Sequence, residues 1–232
     1  MKRFVLKIAR RFYRIVNRLP FNNRRKGRVK VENDGAILWK CAIIGAGKNN
    51  RLILRKGGMY RRCEFIFTGN DNTIEIGEDC HAHSASFCTE DDGNAIRIGA
   101  QTTFSGAIHI ACTEGTTCTI GDRCLFSADV VIRTGDSHSV LDQDGNRVNY
   151  AKDVTVCNHV WMGYRTLVTK GVTIRENSIV GTGAVVTKSV EKGNVVIAGV
   201  PAKIVKEGVT WDAQRLPADS ARPTVSAPDR SK

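Results

Sequence analysis

The sequence predicts a mainly β protein built as one parallel solenoid, and three observations predict it. From Val156 every sixth residue is apolar, running Val156, Met162, Val168, Ile174, Val180 and Val186. A second column four positions later, Val160, Thr166, Val172, Ser178, Ala184 and Val190, holds only small or branched uncharged side chains. Upstream the coil lengthens to 22 residues: Leu54, Ile76, Ile98 and Ile120 share that spacing, as do Tyr60, Ala82, Phe104 and Phe126, and Ile66, Cys88, Ile110 and Ile132. Neither a helix nor a simply alternating strand produces these periods; flat coils that stack identical positions do.

The N-terminal segment comes first. Residues 1–30 carry 12 Lys or Arg and no acid, leaving 23 residues of each sign in the remainder. Residues 3–19 read as an amphipathic helix ended by Pro20. Val5, Ile8, Phe12, Ile15, Val16 and Leu19 lie on one arc, and Arg3, Lys7, Arg10, Arg11, Arg14 and Arg18 lie on the other. Such a helix suits either peripheral contact with an anionic membrane or packing on the solenoid end. Arg10, Arg11 and Arg14 interrupt the apolar core that a signal peptide needs. The cations are not interleaved with exposed aromatics, so nucleic acid is not expected. No apolar run approaches the roughly 20 residues of a spanning helix.

Residues 31–200 read as the solenoid. Its long coils have four residues beyond three six-residue faces. Polar turn-formers take up the excess at Thr68-Gly69-Asn70-Asp71-Asn72, Thr89-Glu90-Asp91-Asp92-Gly93-Asn94 and Thr113-Glu114-Gly115-Thr116, which read as solvent-facing corners. Pro201 is read as opening a short capping helix, Ala202 to Glu207, within a C-terminal unit of residues 201–216. Residues 217–232, with Pro217, Pro223 and Pro228 among small and charged residues, read as disordered. The eight cysteines form no Cys-x-x-Cys, and Cys80, Cys88 and Cys124 occupy repeat columns, so they read as reduced, buried fillers in a cytoplasmic protein.

The repeat is interrupted once. Between Ile132 and Val156 the chain makes a polar excursion, residues 133–153, and then returns to register. A loop ejected from a rigid stack points to function. His138 stands at its root in Asp136-Ser137-His138.

Several segments carry a family resemblance. Ile76-Gly77-Glu78-Asp79-Cys80, Ile98-Gly99-Ala100-Gln101-Thr102, Ile120-Gly121-Asp122-Arg123-Cys124 and Ile179-Val180-Gly181-Thr182-Gly183-Ala184 resemble the hexapeptide repeat of left-handed β-helix acyltransferases. Asn158-His159-Val160-Trp161-Met162-Gly163, Lys170-Gly171-Val172-Thr173-Ile174 and Ala198-Gly199-Val200-Pro201-Ala202-Lys203 are similar to the diagnostic stretch of sugar and polysaccharide O-acetyltransferases. The match spans residues 40–207. Cys157 and Arg175 stand where the repeat prefers glycine.

The resemblance implies left-handed coiling, acetyl-CoA as donor, a carbohydrate acceptor such as a capsular or exported polysaccharide unit, a homotrimer, and no metal. It makes His138 the catalytic base. A sugar hydroxyl ionises far above pH 7, and neutral imidazole can take its proton during attack on a thioester. The second ring nitrogen then needs an acceptor, which Asp136 or a backbone carbonyl can supply. The resemblance places His109, Asn149 and Trp161 at the acceptor. It places Trp161, Gly163, Gly181, Thr182, Lys188, Lys203 and Lys206 at the donor, where the two glycines also serve as coil corners. Trp211 is expected to fold back near the donor. His81, His83 and His159 read as surface or supporting residues. A zinc site on neighbouring coils is disfavoured because His81 and His109 are 28 residues apart, out of register. The alternatives are a small-molecule acceptor, a cysteine nucleophile, or a noncatalytic membrane scaffold.

Overall fold

The computed structural model describes residues 23–215 together with Ile15 and Pro217. The basic helix expected over residues 3–19 and the tail expected over 217–232 lie outside the described residues, apart from Ile15 and Pro217. Short strands follow one another around three faces. They form an eight-stranded sheet A, a seven-stranded sheet B and a nine-stranded sheet C. Every pairing between coils is parallel except the last in sheet C.

Two of the three long-coil columns appear as read. Leu54, Ile76, Ile98, Ile120, Val156 and Ile174 stack inside sheet B. Tyr60, Ala82, Phe104, Phe126, Met162 and Val180 stack inside sheet C. The third column slips. The inward residues of sheet A are Phe65, Phe87, Ile110, Ile132, Val168 and Val186, while Cys88 pairs outward with Ala111. The corner between sheets C and A gains one residue from the coil containing Ala107 onward. The apparent spacing of Ile66, Cys88, Ile110 and Ile132 therefore joined two different faces.

In the lower coils the interior is filled by aromatic rings. Tyr60, Phe65, Phe87, Phe104 and Phe126 form a chain with centroid separations of 5.9, 5.5, 5.6 and 4.8 Å. Such pairs contribute about 0.5–1.5 kcal/mol each beyond area burial. The polar corners are anchored from within. Asn50, Asn72 and Asn94 are buried. The backbone N–H of Asn72 donates to Asn50 Oδ1 at 3.0 Å, that of Asn94 to Asn72 Oδ1 at 2.8 Å, and that of Thr116 to Asn94 Oδ1 at 3.1 Å. Each carboxamide satisfies an amide of the next coil that burial would otherwise leave unpaired. Only the tips of these corners face solvent.

Corners between sheets B and C stack residues in the left-handed region: Gly57, Asp79, Gln101, Arg123, His159 and Asn177 all have φ between 54° and 77°. At Gly57 a Cβ would lie 1.8 Å from Asp79 Oδ1, so a larger residue there would have to displace that carboxylate.

The two ends correct the sequence reading. Arg24–Gly27 is already a strand, paired with Ala42–Gly45 in sheet A, so the solenoid begins before residue 31. Its exposed residues are charged, which hid it from a search for apolar columns. Ala202–Glu207 is a strand, not a helix, antiparallel to Val195–Gly199. Pro201 suits the start of an edge strand as well as the first turn of a helix. Ile204 and Val205 favour extended backbone, and the last parallel strand offers a free edge for it to pair with.

Candidate active site

The loop of residues 133–153 leaves the corner between sheets A and B, after Val131–Arg133 and before Val154–Val156. Its middle folds into a small hairpin. The backbone N–H of Val148 donates to the Val140 carbonyl at 2.9 Å, and Asp142 Oδ1 accepts from the N–H groups of Asp144 and Asn146 at 2.9 and 2.8 Å. Gly135 at the stem packs so tightly that a Cβ would lie 2.4 Å from the Thr113 methyl.

Asn149 is the hub. It is buried, its Nδ2 donates to the His138 carbonyl at 2.8 Å and to Asp136 Oδ2 at 2.9 Å, and its Oδ1 accepts from the Val140 N–H at 2.8 Å and Arg147 Nε at 3.2 Å. Its amide holds the loop that carries His138. Lys170 Nζ adds a hydrogen bond to the Asn149 carbonyl at 2.8 Å and an ion pair to Asp136. The Lys170 ammonium, then Asn149, hold the Asp136 carboxyl below its ordinary range. Glu114 braces the outer limb through Arg147 and the Ala151 N–H, and both interactions lower its pKa.

The His138 imidazole is exposed, and no hydrogen bond or ion pair to its ring occurs among the described residues. The Asp136 carboxylate faces Lys170 and Asn149 through its Oδ2. His109 lies half-buried one strand away from the loop root. Its Nε2 is 3.5 Å from Arg133 Nη1, and Arg133 Nη2 bonds Glu90 at 2.9 and 3.1 Å and Ser137 Oγ at 3.1 Å. Burial, then the Arg133 charge, push the His109 pKa below its ordinary value, which favours the neutral ring. The network joins His109 to the residue before His138.

Trp161 is not on this side of the prism. It projects from sheet C, above Leu125 and below Ile179, with its indole N–H 3.3 Å from Ser127 Oγ. In a three-sided stack the corner between sheets A and B is opposite sheet C, so one chain does not bring His138 and Trp161 together. Gly163 stacks on Gly181 in sheet C, where a Cβ on Gly163 would lie 2.6 Å from the Val180 carbonyl oxygen; coil packing alone requires glycine there. Thr182 is exposed at the following corner. Lys188 is exposed between Val186 of sheet A and Val190, which bridges to Ile174 of sheet B. Lys203 and Lys206 are exposed on the final strand of sheet C, so the three lysines do not form one cluster. His81 lies on sheet C and His109 on sheet A, which separates them by a face.

Sequence reasoning missed Arg133, Glu90 and Lys170. Arg133 is a charged residue immediately after a core column, and Lys170 follows Val168, which stacks on Ile132 at the loop root. Both signals were present.

No protein-family model matches the chain. Galactoside O-acetyltransferase of Escherichia coli (strain K12) is 40% identical over 70 residues, 30% of this chain and 33% of that protein. Polysialic acid O-acetyltransferase of Escherichia coli O1:K1 / APEC is 32% identical over 102 residues, 42% of this chain and 33% of that protein. The alignments thus span about a third of these relatives. Among solved structures, the polySia specific acetyltransferase NeuO superposes with a TM-score of 0.74 at 27% identity, covering 86% of this chain and 83% of that one. The polysialic acid O-acetyltransferase OatWY gives 0.67 at 27% identity, covering 85% and 94%. The fold is a parallel β-solenoid of the kind these left-handed β-helix acetyltransferases share. The chain's homologues include galactoside and polysialic acid O-acetyltransferases.

Proposed function

We propose that the protein transfers an acetyl group from acetyl-CoA to a hydroxyl of a carbohydrate, with His138 as general base. The observation that carries this reading is an exposed imidazole, free at its ring, on a loop whose backbone is fixed by Asn149. The hydroxyl oxygen attacks the thioester carbonyl while its proton passes to His138. The tetrahedral adduct then collapses, the C–S bond breaks, and the thiolate recovers that proton. Positioned bases of this kind contribute about 10²–10⁴-fold. His109, neutral and held by Arg133, serves the acceptor.

Direct attack is favoured over a nucleophile at the repeat-column cysteines, and none of the eight cysteines lies on the loop that carries His138. Burial pushes the thiols of Cys80, Cys88 and Cys124 up to about 11, leaving little thiolate at neutral pH.

A homotrimer completes the site. His138 and Trp161 lie on opposite sides of one prism, so a cleft containing both needs two copies. The loop hairpin leaves Val140, Leu141, Val148 and Tyr150 more than half exposed, an apolar arm suited to a neighbour's surface. Sheet B offers none: its outer face is laced by ion pairs, with Lys30 and Arg51 on Glu32 and Arg55 and Arg97 on Glu75. Sheets A and C, whose outer columns include Ile44, Ile66, Met59 and Trp161, are the contact faces. Thr182, Lys188, Lys203 and Lys206 meet the donor's pantetheine and phosphates in that assembly. The basic N-terminal segment adds peripheral contact with an anionic membrane, tested by pelleting with vesicles of differing charge.

The decisive experiment is free thiol release from acetyl-CoA with a panel of mono- and oligosaccharides, for wild type and His138→Ala. Sugar-dependent release that His138→Ala abolishes supports the proposal. An acyl-enzyme burst that survives in His138→Ala overturns direct attack.

A further inference from the structure

The segment after the last strand, residues 208–215, is not a loose end. The Val209 N–H donates to the Asn194 carbonyl at 3.0 Å, and Trp211 Nε1 donates to the His159 carbonyl at 2.9 Å. Trp211 lies flat on the His159 imidazole, with ring centroids 4.4 Å apart and an interplanar angle of 11°. His159 is itself fixed, with Nδ1 2.9 Å from Asn177 Oδ1 and a left-handed backbone at φ 56°. Trp211 is half-buried in this position. The Trp161 ring stands 6.1 Å away at 46°, so the two indoles form an angled shelf, and 38% of Trp161 is exposed.

We infer that Trp211 and Trp161 form a stacking shelf for the sugar ring next to the one that is acetylated, so that the enzyme prefers an oligosaccharide to a monosaccharide. The inference rests on the proposed acetyltransferase reading, which puts Trp161 beside the acyl group. The apolar C–H face of a pyranose suits an open indole, and its hydroxyls remain free to reach water. Rings locked by Asn177, the His159 carbonyl and Ser127 lose little freedom on binding, which preserves the gain from contact. The adenine of the donor also stacks on indoles, but the pantetheine arm holds it far from the thioester. A shelf whose rings lie 6.1 Å apart, one of them at the acyl group, is at the wrong end for it. Trp211 therefore belongs to the acceptor side rather than the donor side.

The test uses the full chain, with Trp211→Ala and the conservative Trp211→Phe. Turnover is measured with a monosaccharide and with the matching trisaccharide. Indole fluorescence is titrated with the trisaccharide and, separately, with CoA. The expected result is that the trisaccharide preference in kcat/KM falls about tenfold in Trp211→Ala and returns in Trp211→Phe, with fluorescence quenched by trisaccharide. An unchanged preference overturns the inference, as does a rise in the KM for acetyl-CoA in its place. If no sugar accepts acetyl in wild type, the acetyltransferase proposal fails. The fluorescence titration still decides the shelf: quenching by trisaccharide that Trp211→Ala abolishes supports it, and absence of quenching refutes it.

Discussion

The coils below the loop and those above it solve the same packing problem differently. Below, coils of 22 or 23 residues enclose a wide interior, filled by stacked aromatic rings and sealed at one corner by the ladder of Asn50, Asn72 and Asn94. Above, Val156 to Ile174, Met162 to Val180 and Val168 to Val186 are each 18 residues apart, with two-residue strands and an aliphatic interior. A slim coil has no spare chain to eject, whereas a wide one already carries a corner excursion. The loop that carries His138 is that excursion enlarged, at the boundary where the stack narrows. Glu90, Asp91 and Glu114, which project from the wide corners beneath it, supply its foundation.

The comparison can be broken by mutation. The largest effect is expected from His138→Ala, which removes the base while leaving the stack alone. Acetyl transfer should fall by about 10²–10⁴-fold with an unchanged melting temperature, measured by thiol release and calorimetry. Next, Phe104→Ala in the wide interior should cost about 3–5 kcal/mol. Val180→Ala in the slim one should cost less, at about 0.8 kcal/mol per carbon removed. Equal losses in urea denaturation would mean that the two interiors are not energetically distinct.

Asn149→Ala should lower turnover about tenfold and stability by about 1–3 kcal/mol, because Asp136 and the His138 carbonyl lose a buried donor. A drop in stability without a drop in turnover would show that the loop's shape does not matter to His138. Asn72→Ala should cost about 1–3 kcal/mol with turnover preserved, since it leaves the buried Asn94 N–H unpaired one coil away.

The smallest effect is on acid sensitivity. Asp136 has its pKa depressed from the ordinary 3.8 by Lys170. A depressed carboxyl stabilises the fold above the unfolded value, and that contribution disappears as pH falls through the lower folded value. Asp136→Asn should therefore lower stability modestly at neutral pH, where the ionised pair contributes in full, and leave it almost unmoved at the acid end, so that the profile flattens below about pH 4, read by melting temperature against pH.

How much the sequence revealed follows the same division. The slim coils were fully legible, because every sixth side chain reports the interior. In the wide coils the columns of sheets B and C were legible, but the extra residue near Ala107 shifted sheet A and made Ile66 and Cys88 look buried in series with Ile110. The asparagine ladder shares the 22-residue spacing, but a polar residue at a corner reads equally well as solvated, and only the structure shows it turned inward. The loop that carries His138 was legible from the break in the repeat. The loop-holding bonds of Asn149 were not legible, since a single carboxamide can bind sugar or backbone equally well and only geometry shows the partners. The final strand was mistaken for a helix because Pro201 opens either element.

That final strand has a consequence for how the molecules behave in a crowd. A stack of parallel coils ends in a row of unsatisfied amides and carbonyls with the right pitch to accept the first coil of another molecule, and repetition of that step makes a filament. Ala202–Glu207 reverses direction and occupies the row on sheet C, so an incoming coil meets a strand running the wrong way. Lys203, Lys206 and Glu207 along it add charges that discourage edge-to-edge growth. The reversal is thus a stop signal for head-to-tail polymerisation, written in six residues.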